Sequence, residues 1–226
     1  DSGFSSLQQE FDSPTGYKVI KLLSDHYLCR GSVMCEIKNI YQTELEYLKD
    51  GIKNTGNPYH TFTLSSLNGV YPESRTIVLR GLDLDPLRIY FNADYRSPKI
   101  QELINNHFCS ALFYDRERKI QLRFKCQAVL HYKNNISRKI WSNTALQSRK
   151  CYMGPHSPSK SLDEWHPNIP LEYLKMDPDK EHSKEGYINF AHVELKIMES
   201  DLLQLRHDGH IRFKVKNENK LFFVSP

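Results

Sequence analysis

The chain has 226 residues, 39% of them hydrophobic, enough to fill the core of one ordinary domain or two small ones; fibrous and fully disordered readings are poor. Lys and Arg number 31 against 27 Asp and Glu, a formal charge of +4 that suits small anions and, without a basic stripe, gives no reason to expect nucleic acid. No window approaches the roughly 18 to 20 apolar residues that span a bilayer, so no membrane partner is expected. The 5 cysteines (Cys29, Cys35, Cys109, Cys126 and Cys151) include no CxxC pair and read as reduced thiols of a cytoplasmic protein.

In chain order, residues 1 to 36 are weakly patterned and are expected to form an N-terminal extension to a single domain over 37–226. From Asn39 to Ile52 the apolar residues Ile40, Tyr41, Leu45, Leu48 and Ile52 recur mostly at three- and four-residue steps, which predicts an amphipathic helix stopped near Gly56-Asn57-Pro58. Strands follow at Tyr59 to Ser66, Arg75 to Arg80, Leu87 to Asn92 and Cys109 to Tyr114, with Asn68-Gly69 as a hairpin signal. From Ile120 to Leu130 apolar and polar residues alternate, lapsing only at Val129, so one face is core and the other wet. Later strands are expected at Tyr187 to Leu195, Ile211 to Val215 and Leu221 to Val224, with a short turn from Ser200 and a last turn at Asn217-Glu218-Asn219. Ser97-Pro98 opens one helical insert and a second runs from about Asn135 to Leu146. Short, mostly sequential strands with few helices argue for a mainly β fold, an antiparallel barrel.

The helix start at Ser97 is the first place where chemistry is expected. First-turn amides point outward unpaired, the dipole end is positive, and Arg96 and Lys99 flank the turn, which makes a phosphate site in principle. Arg75 and Arg80 bracket an apolar strand and point to opposite faces if it is regular, so at least one must meet water, an acid or an anion. No metal set is expected, since His207 and His210 lack a nameable third ligand.

In this order, Arg75-Thr76-Ile77-Val78-Leu79-Arg80, then Tyr90-Phe91-Asn92-Ala93-Asp94-Tyr95-Arg96-Ser97-Pro98-Lys99, then Ile120-Gln121-Leu122 resemble the FMN-binding split barrel of the pyridoxamine 5′-phosphate oxidase family. The likeness is to the oxidase-related subgroup whose arm reads Arg-Ser-Pro-Lys, and it covers roughly residues 40 to 226. It implies a homodimeric split β-barrel with FMN as cofactor at the subunit interface and a small-molecule substrate. Implied cofactor contacts are Arg75, Thr76, Ile77, Val78, Leu79, Arg80, Phe91, Asn92, Arg96, Ser97, Lys99 and Gln121, with Arg212 donated across the dimer.

Departures from the pattern bear on activity. Arg80 stands for the usual Lys, Ala93 for a Thr, Pro98 for an Arg, and Leu202 for a ring-stacking Trp. Of the residues that hold substrate in the oxidases, Ser148 and His210 match, whereas Asp208 takes the place of an Arg. The expected function is therefore an FMN-dependent oxidoreductase of unassigned substrate and unassigned catalytic residues. A true pyridoxamine or pyridoxine 5′-phosphate oxidase and a non-catalytic flavin or haem binder stand as alternatives.

Overall fold

The computed structural model describes residues 33–216 and 220–226, together with the backbone of two short strands before them. Those two are β1 (Phe11–Asp12) and β2 (Lys18–Lys21). Helix α1 (Val33–Gly51) follows, then β3 (Thr61–Asn68), β4 (Tyr71–Val78), β5 (Gly81–Leu84) and β6 (Leu87–Asp94). Helix α2 (Pro98–Asn105) leads into β7 (Phe108–Asp115) and β8 (Ile120–Tyr132). Helices α3 (Asn135–Asn143) and α4 (Leu146–Arg149) precede β9 (Phe190–Gln204), β10 (Ile211–Lys216) and β11 (Lys220–Phe223). The fold is mainly antiparallel β with a few helices, in the order β1-β2-β11-β10-β9-β8-β7-β3-β4, with β6 also on β9 and β5 on β6.

The alternation in the sequence builds β8 as expected. Ile120, Leu122, Phe124, Cys126 and Ala128 are buried inside the barrel, while Gln121, Arg123, Lys125 and Gln127 line its outer face. Val129 keeps the outward phase and is only half-buried, so the lapse in the pattern is one of polarity and not of direction.

The expected short turn from Ser200 is instead the second half of β9. Along one edge, residues Phe190–Lys196 pair with β6 and residues Glu199–Gln204 pair with β10; along the other, β8 runs the whole length. The changeover coincides with a register shift at Lys125/Cys126, where Cys126 pairs with Ile197 and Lys125 with Glu199. Met198 is the extra residue of that bulge, and it inverts the alternation, which is why a period-two reading stops near Leu195. Beyond it Ser200 and Leu202 point inward, while Glu199 and Asp201 point out. The expected turn at Asn217-Glu218-Asn219 lies outside the described residues.

Helix α1 buries Ile37, Tyr41, Leu45 and Leu48 against the barrel, the stripe its spacing predicts, and starts earlier than expected, at Val33. It ends where Gly51 meets the Tyr59 carbonyl, which a Cβ would approach to 2.8 Å. A charged network fixes it there. Glu44, only 1% exposed, accepts two bonds from Arg118 on the β7–β8 turn, at 2.6 and 3.0 Å, and one from the Tyr59 hydroxyl at 2.5 Å. The Arg118 Nε donates to Asp115 at 2.5 Å, so one guanidinium serves two carboxylates.

Outside the sheet, Trp141 of α3 packs on Tyr152, Tyr187 and Phe190 with ring centroids 5.1–6.1 Å apart, forming a small second core over the start of β9. Arg149 is buried beneath it and donates to the carbonyls of Ser142 and Thr144 at the end of α3, each at 3.0 Å. Its positive charge thus sits at the negative end of that helix.

Candidate functional site

Ser97 is the N-cap of α2, but its hydroxyl makes no cap bond and turns back to donate to the Asp94 carbonyl at 2.6 Å. Pro98 has no N–H, and the Ile100 N–H is used on the Ser97 carbonyl at 3.0 Å, which leaves the Lys99 amide without a backbone partner. The Lys99 ammonium is half-buried and forms no hydrogen bond or ion pair. Burial, and then the positive charge of Arg75, hold its pKa below the usual lysine value.

Arg75 reaches this place from β4. It shares the core-side face with its cross-strand partner Leu64, and its guanidinium is held by the Glu102 carboxylate of α2 at 2.8 Å, by the Ser66 hydroxyl, and by the Glu73 carbonyl at 3.2 Å. Arg96 is likewise engaged, by Asp94 at 2.7 and 3.0 Å and by the Gly154 carbonyl at 3.1 Å. Three cations therefore stand against two carboxylates, with the excess charge on Lys99. Arg80, exposed just beyond β4, is close enough to act electrostatically on Tyr152, whose pKa is raised chiefly by burial.

Of the other expected contacts, the side chains of Leu79 and Phe91 are fully buried in the core and Ile77 nearly so, while Thr76 and Val78 lie on the outer face. Asn92 holds the His192 ring, Oδ1 to Nδ1, at 2.8 Å. Gln121 is half-buried on the outer face opposite Tyr114. Arg212 is clamped to Asp201 at 2.9 and 3.0 Å, and Asp201 also accepts from Arg123 at 2.7 Å. His210 accepts the Arg206 N–H through Nδ1 at 3.1 Å, on the rim of an open basin of ≈ 830 Å³ that Tyr114, Arg116, Lys119 and Arg206 also line. Ser148 is half-buried and its hydroxyl makes no hydrogen bond, but its neighbours are committed: Arg149 as above, and Lys150 to Asp177 at 3.0 Å.

The structure thus brings Arg75, Arg96, Ser97 and Lys99 together and leaves Gln121, Arg212 and His210 elsewhere. No hydrogen bond or ion pair among the described residues links the two groups.

Several residues of the site escape a reading of the sequence. Asp94, two residues before Arg96, and Glu102, one helical turn after Lys99, have local spacings that could have pointed to them. Ser66 and His192 arrive by strand pairing and leave no local trace. His192 belongs to a polar cluster on the outer face, with His131 bound to Glu194 at 3.3 Å and Glu194 to Arg88 at 3.2 Å. Burial, then the neighbouring His131, push the His192 pKa down to about 4. Among the described residues no group of three or more His, Cys, Asp or Glu could hold a metal ion, and no helix is long and apolar enough to cross a membrane.

Residues 43–132 match the family model described as pyridoxamine 5′-phosphate oxidase, FMN-binding domain. That segment belongs to the family. It holds every residue of the α2 cluster except Gly154, and the family's domain is FMN-binding. Over 119 residues the chain is 30% identical to pyridoxine/pyridoxamine 5′-phosphate oxidase 2 of Arabidopsis thaliana, covering 50% of this chain and 58% of that relative. The match thus spans less than two thirds of that curated relative's length. In fold, the chain is similar to a pyridoxamine 5′-phosphate oxidase-related, FMN binding protein from Nostoc punctiforme PCC 73102, with a TM-score of 0.63 at 17% identity over 82% of this chain and 96% of that one. It is also similar to PhzG from Burkholderia lata 383, solved with tetrahydrophenazine-1-carboxylic acid, with a TM-score of 0.60 at 18% identity over 91% and 98% of the two chains.

Proposed function

We propose that the chain binds FMN through its phosphate at the start of α2 and works as a flavin-dependent oxidoreductase. The observation that carries this reading is Lys99: a half-buried ammonium without a counter-ion, beside Arg75, at a helix N-terminus whose capping residue makes no cap bond. A phosphate there would meet the Lys99 ammonium and amide, and would share Arg75 and Arg96 with Glu102 and Asp94. Bound FMN supplies two-electron chemistry, and the protein's part is to fix the phosphate, seat the ring and set its polar surroundings.

The rest of the site is assigned to a second copy of the chain. Gln121 and Arg212 lie on the outer face of the sheet, and neither they nor His210 make a hydrogen bond or ion pair with the α2 cluster among the described residues. A second barrel packed on that face would carry Gln121, Arg212 and His210 toward the other copy's phosphate site. Sedimentation at micromolar concentration should therefore show a dimer.

Lys99→Gln tests the phosphate site. It removes the unpaired cation and relieves its repulsion with Arg75, so folding should not suffer. A charge-assisted bond contributes about 1.5–3 kcal/mol, so FMN affinity is expected to fall about 10- to 100-fold in a fluorescence-quenching titration. Unchanged affinity in the folded variant would move the phosphate elsewhere.

The Arabidopsis relative favours a second reading, oxidation of pyridoxamine or pyridoxine 5′-phosphate. Ser148 has a free hydroxyl for a substrate phosphate, but Arg149 and Lys150 beside it are already engaged and Asp208 is repulsive. Release of hydrogen peroxide on adding pyridoxamine phosphate to the FMN-loaded protein would select this reading, and its absence would select another substrate.

A further inference from the structure

Cys109 and Cys126 face each other directly across β7 and β8. Directly opposed residues of an antiparallel pair have Cα atoms roughly 4.5–5.5 Å apart, inside the roughly 4.4–6.8 Å span that a disulfide bridges. The two thiols are unbonded, and Cys109 packs against the core cluster that contains Cys126. Their settings differ. Cys126 is 1% exposed, inside the barrel and beside the β9 bulge, whereas Cys109 is only partly buried near the start of its strand, three residues past the Asn106 C-cap of α2.

We propose that this pair is a site of reversible oxidation, closed to a cross-strand disulfide by a peroxide. The Cys109 thiolate attacks one peroxide oxygen, taking it as a sulfenic acid while the O–O bond breaks and hydroxide leaves. The Cys126 sulfur then attacks the Cys109 sulfur, the S–O bond breaks, and the Cys126 proton departs with the oxygen as water. Two thiols lose two electrons and two protons in all, and the peroxide is reduced to two waters. Cys109 is the entry point because solvent reaches it. Cys126 resolves because strand pairing sets it opposite the sulfur that becomes electrophilic, while burial, which raises its pKa, keeps it from reacting with the peroxide first. The bridge needs strand pairing alone and does not depend on flavin occupancy.

The folded full-length chain, treated with hydrogen peroxide and then blocked with iodoacetamide, should lose two free thiols and gain a peptide linking the segments around Cys109 and Cys126 that dithiothreitol reverses. In Cys126→Ser the link should vanish and Cys109 should become trappable by dimedone, a sulfenic-acid reagent. In Cys109→Ser, Cys126 should stay reduced under the same treatment. A link that maps to another pair, Cys109 oxidised in the parent without a link, or both thiols intact while Cys151 on the surface is oxidised would each overturn the proposal. The parent protein alone decides these outcomes if a variant fails to fold.

Discussion

Arg118→Ala is expected to destabilise the fold by about 3–5 kcal/mol, the usual cost of leaving a buried carboxylate without its cation. The expectation rests on Glu44, which is 1% exposed and takes both its Arg118 bonds inside the seam between α1 and the β7–β8 turn. Burial raises the Tyr59 pKa first and the Glu44 bond raises it further, so the phenol stays protonated and cannot replace the lost positive charge. The Arg118 guanidinium also lies 3.6 Å from the centroid of the Tyr47 ring, a contact the alanine forfeits. Removing Glu44 as well, with Glu44→Leu and Arg118→Met, should cost less, because the one carboxylate then left without its cation is Asp115, which keeps its bonds from the Glu117 and Arg118 amides. Urea unfolding of the parent, the single variant and the double variant measures both. A single-variant loss below about 1 kcal/mol would mean that water reaches Glu44 and that the clamp does not hold α1.

Stability is also expected to fall by ~3 kcal/mol between neutral pH and pH 4 on account of one residue, His192, through the linkage of proton binding to folding. Its folded pKa of about 4 lies below the ordinary 6.5, because the ring is buried and His131 stands beside it, outweighing the attraction of Glu194. Between these two values the unfolded chain holds the extra proton. The stabilisation is therefore complete above pH 6.5, declines as pH falls, and is gone below about 4. His192→Gln keeps a polar side chain against Asn92 and should flatten the pH dependence by up to one proton in that window. Glu199 falls in a different window. Burial alone would raise its pKa, but bonds from Lys214, Lys216 and Lys125 carry it down to about 2, so its contribution is lost only from about pH 4.5 downward. Urea midpoints at pH 7, 5.5 and 4.5 separate the two groups. An unchanged slope in the variant would reassign the acid sensitivity to the carboxylates.

The barrel was legible wherever burial is one-sided and regular. The alternation of Ile120 to Leu130 marks a strand because one face is packed and the other is wet, and the Ser97-Pro98 start marks α2 because proline suits the first helical position. The second half of β9 was hidden by a single extra residue, Met198, which moves the following side chains to opposite faces. Within the candidate site, residues carried by local motifs were legible: Arg75, Arg96, Ser97 and Lys99. What lies around them was not, because Glu102, Ser66 and Asp94 are ordinary polar residues until tertiary structure sets them against those cations. The polar cluster around His192 likewise joins β6, β8 and β9, whose residues are far apart in the chain.

Because Phe190–Gln204 pairs with β6, β8 and β10, a nascent chain cannot complete its sheet until that strand has left the ribosome. Until then β6 and β8 each present an open edge, the kind of surface that invites pairing with a neighbouring polypeptide. Closure late in synthesis, through partners distant in sequence, places folding in the slow range of roughly milliseconds to seconds and makes chaperone binding to the unfinished barrel an advantage.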